Sequence, residues 1–172
     1  MAGVFIAHLP AGYIASKLLF RRCDPLEISY PAFMLAGMLG SIAPDIDLAW
    51  FYLVAARQHN HHSYFTHYPI FWLGLLAVSC AWYGEAERRA NAALWCNFSL
   101  NGLIHMVLDS VVGGIRWLAP FLDDSFSLAR VAAVYQPWWL NFLLHWSMLL
   151  EGAIILWAAH LWRGKPRRWQ LR

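Results

Sequence analysis

The sequence predicts an all-α fold, an integral membrane bundle of about five transmembrane helices that forms one domain over residues 1–172. Hydrophobic residues make up 60% of the chain and charged residues only 13%, a composition too apolar for an ordinary soluble domain. Apolar runs at residues 4–20, 31–56, 68–84, 92–121 and 138–162 are each about as long as a membrane-spanning helix. A mean hydropathy of +0.42 agrees with this prediction.

The basic residues flank the apolar runs and end the chain, although the net charge is +3. This arrangement is typical of membrane-flanking charge rather than of a nucleic-acid surface, so we expect a membrane and no nucleic acid as the partner. If the five runs alternate in direction, their basic ends lie on one side, which is predicted to be cytoplasmic. Cys23, Cys80 and Cys96 fall near that side without the spacing of a disulfide framework or a zinc knuckle.

The first two runs each contain polar residues at specific places. The first run has His8 and Pro10 near its start and its basic residues at its end, which is the reverse of a cleaved signal peptide. The second run is interrupted by Pro44, which predicts a kink or break that carries Asp45 and Asp47. Broken backbone at that depth is tolerated where it is buried in protein or lines a wet cavity.

The loop before the third run is crowded with histidine: His59, His61, His62 and His67. We expect His59 and His61 to be solvated loop residues. His62 and His67 remain as candidates for a site.

The fourth run carries a polar stripe on an apolar helix. His105 and Asp109 are four residues apart and share a helix face, and Asn101 and Asn97 continue that face backwards. Arg116 lies near the same stripe if the helix continues through the two following glycines. On spacing alone, the histidine and aspartate are either half of a metal site or a hydrogen-bonded structural pair.

The fifth run has two polar residues with open roles. His145 is either part of a site or a core histidine bonded to Asn141. Glu151 lies in the middle of the run, where a protonated or paired structural role is at least as plausible as catalysis.

Most of the unusual polar residues fall in the outer-leaflet half of the predicted bundle, which indicates one polar cavity open to the non-cytoplasmic side. Imidazole and carboxylate ligands suit Zn²⁺, with Mn²⁺ or Fe²⁺ as alternatives, bound as one or two ions. Asp45 or Asp47 is also a candidate catalytic base, and Arg116 is a candidate partner for a phosphate. The predicted metal ligands are His8, Asp45, Asp47, His62, His67, His105 and Asp109.

At these residues the sequence resembles the YdjM-type family of inner-membrane metal-dependent hydrolases. The resemblance consists of His8, the Pro-Asp-Ile-Asp motif at 44–47, His62 with Thr66 and His67, and His105 with Asp109 followed by Pro120 and Phe121. It departs from the family at Ser63, where an arginine is usual. More distantly, the ligand order is similar to the zinc-dependent phospholipase C fold, but the later His-x3-Glu pair of that fold is missing here.

The resemblance implies a multi-pass protein of the bacterial inner membrane whose site faces the periplasmic or extracellular side. We expect a hydrolase that cleaves an ester or phosphoester bond of a lipid or lipid-linked substrate with a metal-activated water. The alternative is a non-enzymatic metal-binding, metal-transport or scaffold membrane protein that uses the same ligands.

Overall fold

In the computed structural model, residues 6–22, 28–55, 61–137 and 139–164 are described. Regular structure in these residues is helical, which confirms the predicted all-α class, and short 3-10 turns join several of the helices. The α-helices are α1 (His8–Phe20), α2 (Tyr30–Ile42), α3 (Asp47–Leu53), α4 (Pro69–Tyr83), α5 (Arg89–Asp109), α6 (Trp139–Leu143) and α7 (Ser147–Arg163).

The predicted count of five spans is not confirmed. Among the described residues, one helical run is both long and apolar enough to cross a membrane, Tyr30–Leu53, which comprises α2, a 3-10 turn and α3. Helix α4 has 15 residues, or about 22 Å at 1.5 Å per residue, against a hydrocarbon core of about 30 Å. Helix α5 has 21 residues, but its buried face contains asparagine, histidine and aspartate.

The predicted break in the second run is confirmed at Pro44. Helix α2 begins after Ser29, whose hydroxyl accepts the Ala32 N–H, and ends at Ile42. A 3-10 turn, Ala43–Ile46, follows, and α3 then begins at Asp47. Because Pro44 cannot donate the next helical hydrogen bond, the chain changes helix type at this place.

The fourth run ends earlier than predicted, because α5 stops at Asp109 and residues 110–121 are not helical. Asp109 O accepts the N–H groups of both Val112 and Gly113, and Gly114 takes a positive φ of 72°. This left-handed conformation costs glycine little, and it turns the chain away from the helix axis. The prediction of one helix over residues 92–121 is therefore wrong.

Residues 110–137 form an irregular segment that folds back on the end of α5. Ile115 and Phe126 pair their backbones as an isolated antiparallel bridge. Leu128 N donates to Ser110 O at 2.8 Å, and Ala129 N donates to Val111 O at 2.9 Å. These bonds hold the returning chain directly beside the last turn of α5.

The fifth run is also divided, into the short helix α6 and the longer α7. Ser147 N donates to His145 Nδ1 at 3.3 Å, so a side chain takes an N–H at the start of α7. The buried positions of α7 are Ser147 and Glu151, and the helix packs against α1.

Helices α1, α2 and α5 pack around a buried polar seam, which we define as Ser16, Asn97 and Asn101. Ser16 Oγ donates to Asn97 Oδ1 at 3.1 Å, and Asn101 Nδ2 donates to the same oxygen at 2.9 Å. Asn97 Nδ2 donates to Phe33 O on α2 at 2.8 Å. In an apolar surrounding such bonds link helices, and here they fix the rotation of α5 one turn before His105.

Gly40 allows the backbones of α2 and α5 to touch, and we expect Gly40→Ala to destabilise the fold. A Cβ atom at this position would lie 2.1 Å from Phe98 O, a backbone atom that cannot move without the helix. Overpacking of this kind costs about 3 kcal/mol. Thermal unfolding of the purified protein in detergent measures the effect.

Gly74→Ala is the matched control, because a Cβ atom there has nothing within 4 Å. Its melting temperature is expected to stay at or above the wild-type value. Equal melting temperatures for Gly40→Ala and wild type would contradict the close approach of the two helices.

Candidate metal centre

His105 and Asp109 form the middle of the candidate site, on the last turns of α5. The predicted common face is confirmed, since His105 Nε2 lies 3.1 Å from Asp109 Oδ2. Both residues are buried, with exposed fractions of 0% and 2%. A carboxylate so far from water needs partners, because an isolated buried charge is very costly.

Three more imidazoles reach Asp109 from separate parts of the chain. His8, the first residue of α1, places Nε2 3.2 Å from Asp109 Oδ1. His62 and His67, from the 3-10 turns between α3 and α4, place Nε2 3.5 and 3.6 Å from Asp109 Oδ2. The predicted meeting of distant segments in one pocket is therefore present in the structure.

Asp45 completes the cluster from the 3-10 turn after α2. Its Oδ1 lies 3.7 Å from the Nε2 atoms of both His67 and His105. Together with Asp109 these residues give four atom pairs separated by 3.1–3.7 Å. Ligand atoms bound tetrahedrally to one zinc at 2.0–2.2 Å lie about 3.3–3.6 Å apart, so these four pairs have a spacing close to that of zinc ligands.

The outer nitrogens of three imidazoles are held by acceptors. Nδ1 of His105 donates to Ser41 O at 2.8 Å, and Nδ1 of His62 donates to Gly113 O at 2.6 Å. Nδ1 of His67 donates to Asp47 Oδ2 at 2.6 Å. Because carbonyl and carboxylate oxygens only accept, the proton of each neutral ring is on Nδ1 and the lone pair is on Nε2, inside the cluster.

Several atoms that face the inside of the cluster have no hydrogen-bond partner. Within the described part of the chain, Nε2 of His8, His67 and His105 and Oδ2 of Asp109 are buried without a hydrogen-bond partner. A proton shared by His105 and Asp109 would satisfy that pair, and a proton on His8 Nε2 would reach Asp109 Oδ1 at 3.2 Å, but Nε2 of His67, whose proton is on Nδ1, would still have no partner. A cation satisfies them all, so the donor set fits a metal better than the structural pair considered from the sequence.

His61 lies in the cluster, and its prediction as a solvated residue is wrong. It is 5% exposed, and its ring centre is 4.0 Å from that of His62 and 5.2 Å from that of His67. Removal from water lowers the pKa of His61 to about 3 and that of His62 to about 4, so both rings are neutral at pH 7. His59 lies outside the described residues.

The potential ligands form three overlapping triads, in each of which the ligand atoms lie within 4.8 Å of one another. Two of them are His61, His62 and His67, and His8, Asp45 and His105. The third, His67, His105 and Asp109, shares one residue with each of the others. The cluster therefore has enough ligands for one or two ions.

Asp47 supports the cluster from behind His67. Its Oδ2 accepts both the Nδ1 proton of His67 and the hydroxyl proton of Thr66, the latter at 2.5 Å. Asp45 rather than Asp47 lies beside the inner Nε2 atoms of His67 and His105. The sequence had left open which of the two is a ligand.

Arg116 lies outside the cluster. Its place near the polar stripe depended on a helix that continues through Gly113 and Gly114, and α5 ends at Asp109. Its Nη1 atom is 3.3 Å from Oδ1 of Asp123, whose side chain is 88% exposed. The pair lies at the surface of the irregular segment. The geometry offers no support for the predicted catalytic role of Arg116.

The polar residues near α7 have hydrogen-bond partners outside the cluster. His145 Nδ1 pairs with Ser147 Oγ at 3.0 Å, whereas Asn141 binds the backbone of Val134 and Tyr135. Glu151 is 5% exposed, and its Oε2 accepts the Ile6 N–H at 3.2 Å. Glu151 therefore supports the chain just before His8, in keeping with the structural role considered from the sequence.

We expect Asp47→Asn to weaken metal binding about 10–100-fold without changing the number of ions bound at saturation. The amide still accepts from His67 but has lost the charge that makes the ring a stronger ligand. Competition with a chelating dye measures the affinity, and Asp123→Asn at the surface is the matched control. Loss of a bound ion at saturation would make Asp47 a ligand, and unchanged affinity would exclude the supporting role.

Comparison with known proteins gives one family. The family model described as YdjM inner membrane protein matches residues 1–169. No curated protein and no solved structure matches the chain. Because the match covers nearly the whole sequence, the chain belongs to the YdjM family of inner membrane proteins.

Proposed function

We propose that the chain is a metal-dependent hydrolase of the inner membrane that cleaves an ester or phosphoester bond of a lipid or lipid-linked substrate. The observation that carries the proposal is the orientation of His62, His67 and His105. Each donates its Nδ1 proton to an acceptor outside the cluster and directs Nε2 toward Asp109. A structural histidine needs no such common direction, whereas a metal ligand does.

His67, His105 and Asp109 would hold the ion and leave a position open for water, and His8, His61 and His62 would complete the site or hold a second ion. Mixed imidazole and carboxylate ligands favour Zn²⁺, with Mn²⁺ or Fe²⁺ as alternatives. Bound by these residues, a divalent cation would lower the pKa of water and polarise the scissile oxygen of an ester.

Asp45 is the candidate base. Its side chain is 26% exposed, whereas His67, His105 and Asp109 are 0–3% exposed. A carboxylate that reaches both the cluster and the outside is placed to take a proton from an entering water. The buried residues keep bulk water away from the ligands, which strengthens the electrostatic interactions among them.

The surroundings of Asp45 favour a lipid substrate. We call the exposed side of the cluster at Asp45 its entrance. Ile46 and Trp50 follow Asp45 in the chain, and Phe65 begins the 3-10 turn that ends at His67. These three side chains are 57–71% exposed. Exposed aromatic and aliphatic side chains suit the boundary of a bilayer, where an acyl chain stays in the hydrocarbon while its headgroup reaches the site. We propose the periplasmic or extracellular side for this entrance, since the basic residues mark the other side as cytoplasmic.

The second candidate is a membrane protein that binds a metal without turnover. The burial of the ligands favours it, because a closed site holds an ion for structural or sensing purposes. The two candidates differ in whether the metal-bound protein cleaves an ester.

Metal analysis and turnover separate the candidates. The purified full chain is expected to hold at least one equivalent of metal, and His105→Ala is expected to lose it. Asp45→Asn is expected to reduce kcat about 100-fold or more on dihexanoyl phosphatidylcholine, para-nitrophenyl phosphate or para-nitrophenyl butyrate. His160→Ala, an exposed position on α7, is the matched control.

Two results would contradict the proposal. Wild-type protein that binds stoichiometric metal and cleaves none of these esters would favour the binding protein. If wild-type protein and His105→Ala both lack bound metal, both candidates are removed.

A further inference from the structure

We propose that Cys80 and Cys96 are a site of reversible thiol oxidation, at which a low-molecular-weight disulfide such as glutathione disulfide joins α4 to α5 by a disulfide bond. This inference goes beyond the proposed hydrolase and does not depend on it. The supporting features are the distance between the two sulfur atoms, the packing of the two helices and the place of the thiols near the helix ends.

The two thiols come from different helices and are already in contact. Cys80 lies on α4 and Cys96 lies on α5, and their Sγ atoms are 3.8 Å apart. A disulfide bond holds its sulfur atoms at about 2.05 Å, so these two atoms must approach by about 1.8 Å. Rotation about the Cα–Cβ bond moves a cysteine sulfur by distances of this order. The pair therefore has the proximity that an intramolecular disulfide needs.

The packing of α4 against α5 keeps the pair together. Gly102 of α5 lies against Trp72 of α4, where a Cβ atom would lie 2.0 Å from Trp72 Cε3. The rings of Trp72 and Phe98 are also in contact, with their centres 5.6 Å apart. Trp72 is 2% exposed, so both contacts belong to the core. Because Phe98 and Gly102 lie within two turns of Cys96, the thiols cannot separate widely without disruption of this core.

The thiols lie near helix ends rather than in the middle of the helices. Cys80 is three residues before the end of α4, and Cys96 is two turns after the start of α5. Cys80 is exposed and Cys96 is half-buried. The neighbouring Trp82 and Trp95 are 40% and 48% exposed, and such aromatic side chains are typical of the boundary between membrane and water. A water-soluble disulfide therefore has access to the pair at Cys80.

The oxidation takes two exchange steps. The Cys80 thiol loses its proton and attacks one sulfur of glutathione disulfide, which forms a mixed disulfide and releases one glutathione thiolate. The Cys96 thiol then loses its proton and attacks the Cys80 sulfur, which forms the bond between the helices and releases the second glutathione thiolate. The two thiolates take up the two protons. The two cysteines are thus oxidised, glutathione disulfide is reduced to two molecules of glutathione, and excess glutathione reverses both steps.

Peptide mapping tests the pairing, because each cysteine lies on its own tryptic peptide, over residues 23–57, 58–88 and 90–116. The full chain in lipid nanodiscs is equilibrated with glutathione disulfide, alkylated and digested. Wild type is expected to give the second and third peptides joined by a link that reduction breaks. Cys80→Ser and Cys96→Ser are expected to give no such link. Cys23→Ser, the matched control, is expected to form the link as wild type does.

The equilibrium with glutathione tests the contribution of the fold. The constant for formation of the link is expected to be about 10-fold or more larger in the folded protein than in protein unfolded in SDS, because helix packing already holds the sulfur atoms together. By linkage, the oxidised protein is then harder to unfold. Its melting temperature is expected to rise by about 3 °C or more in wild type and to stay unchanged in Cys80→Ser.

Several results would overturn the inference. Wild type that stays reduced in excess glutathione disulfide, or that keeps separate glutathione adducts on the two cysteines, would show that the helices hold the sulfur atoms apart. Equal equilibrium constants in folded and unfolded protein would show that the fold does not favour the link. A predominant link to Cys23 or between two copies of the chain would assign a different partner to each thiol.

Discussion

The buried carboxylate of Asp109 is the constraint on which the rest of the structure depends. A charge with 2% exposure is stable only if partners surround it, and four imidazoles lie within 3.6 Å of its oxygens. These partners come from α1, from the turns before α4 and from α5 itself. The segments that carry them must end at one place, which accounts for the short helices and turns at this end of the bundle.

The early end of α5 follows from the same constraint. Gly113 has its carbonyl oxygen bound by His62 Nδ1, and a Cβ atom at Gly113 would lie 2.5 Å from His62 Cε1. The helix therefore stops where the backbone must accept an imidazole at close range. Continuing α5 to residue 121 would have used this carbonyl inside the helix and left His62 without the acceptor that orients it.

The sequence predicted the features that depend on spacing. The i, i+4 relation of His105 and Asp109 and the break at Pro44 are local properties, and both are found in the structure. The all-α class follows from the apolar composition of the chain. The number of membrane spans does not, because the ends of the helices depend on tertiary contacts. The burial of His61 was missed for the same reason: its neighbours in space are imidazoles, and only its adjacency to His62 gave a signal in the sequence.

One stripe on α5 serves two purposes, and the chemistry of its side chains separates them. An amide both donates and accepts, so Asn97 and Asn101 find partners in each other and in Ser16. A neutral imidazole has one proton and a carboxylate has none. Because His105 donates its Nδ1 proton in a hydrogen bond to Ser41 O and His67 donates its own to Asp47, their Nε2 atoms face Asp109 as acceptors. Apart from Asn101 Oδ1, the polar side-chain atoms of the seam are hydrogen-bonded, whereas several inner atoms of the cluster are arranged as ligands for a cation, and this difference locates the site at the end of α5.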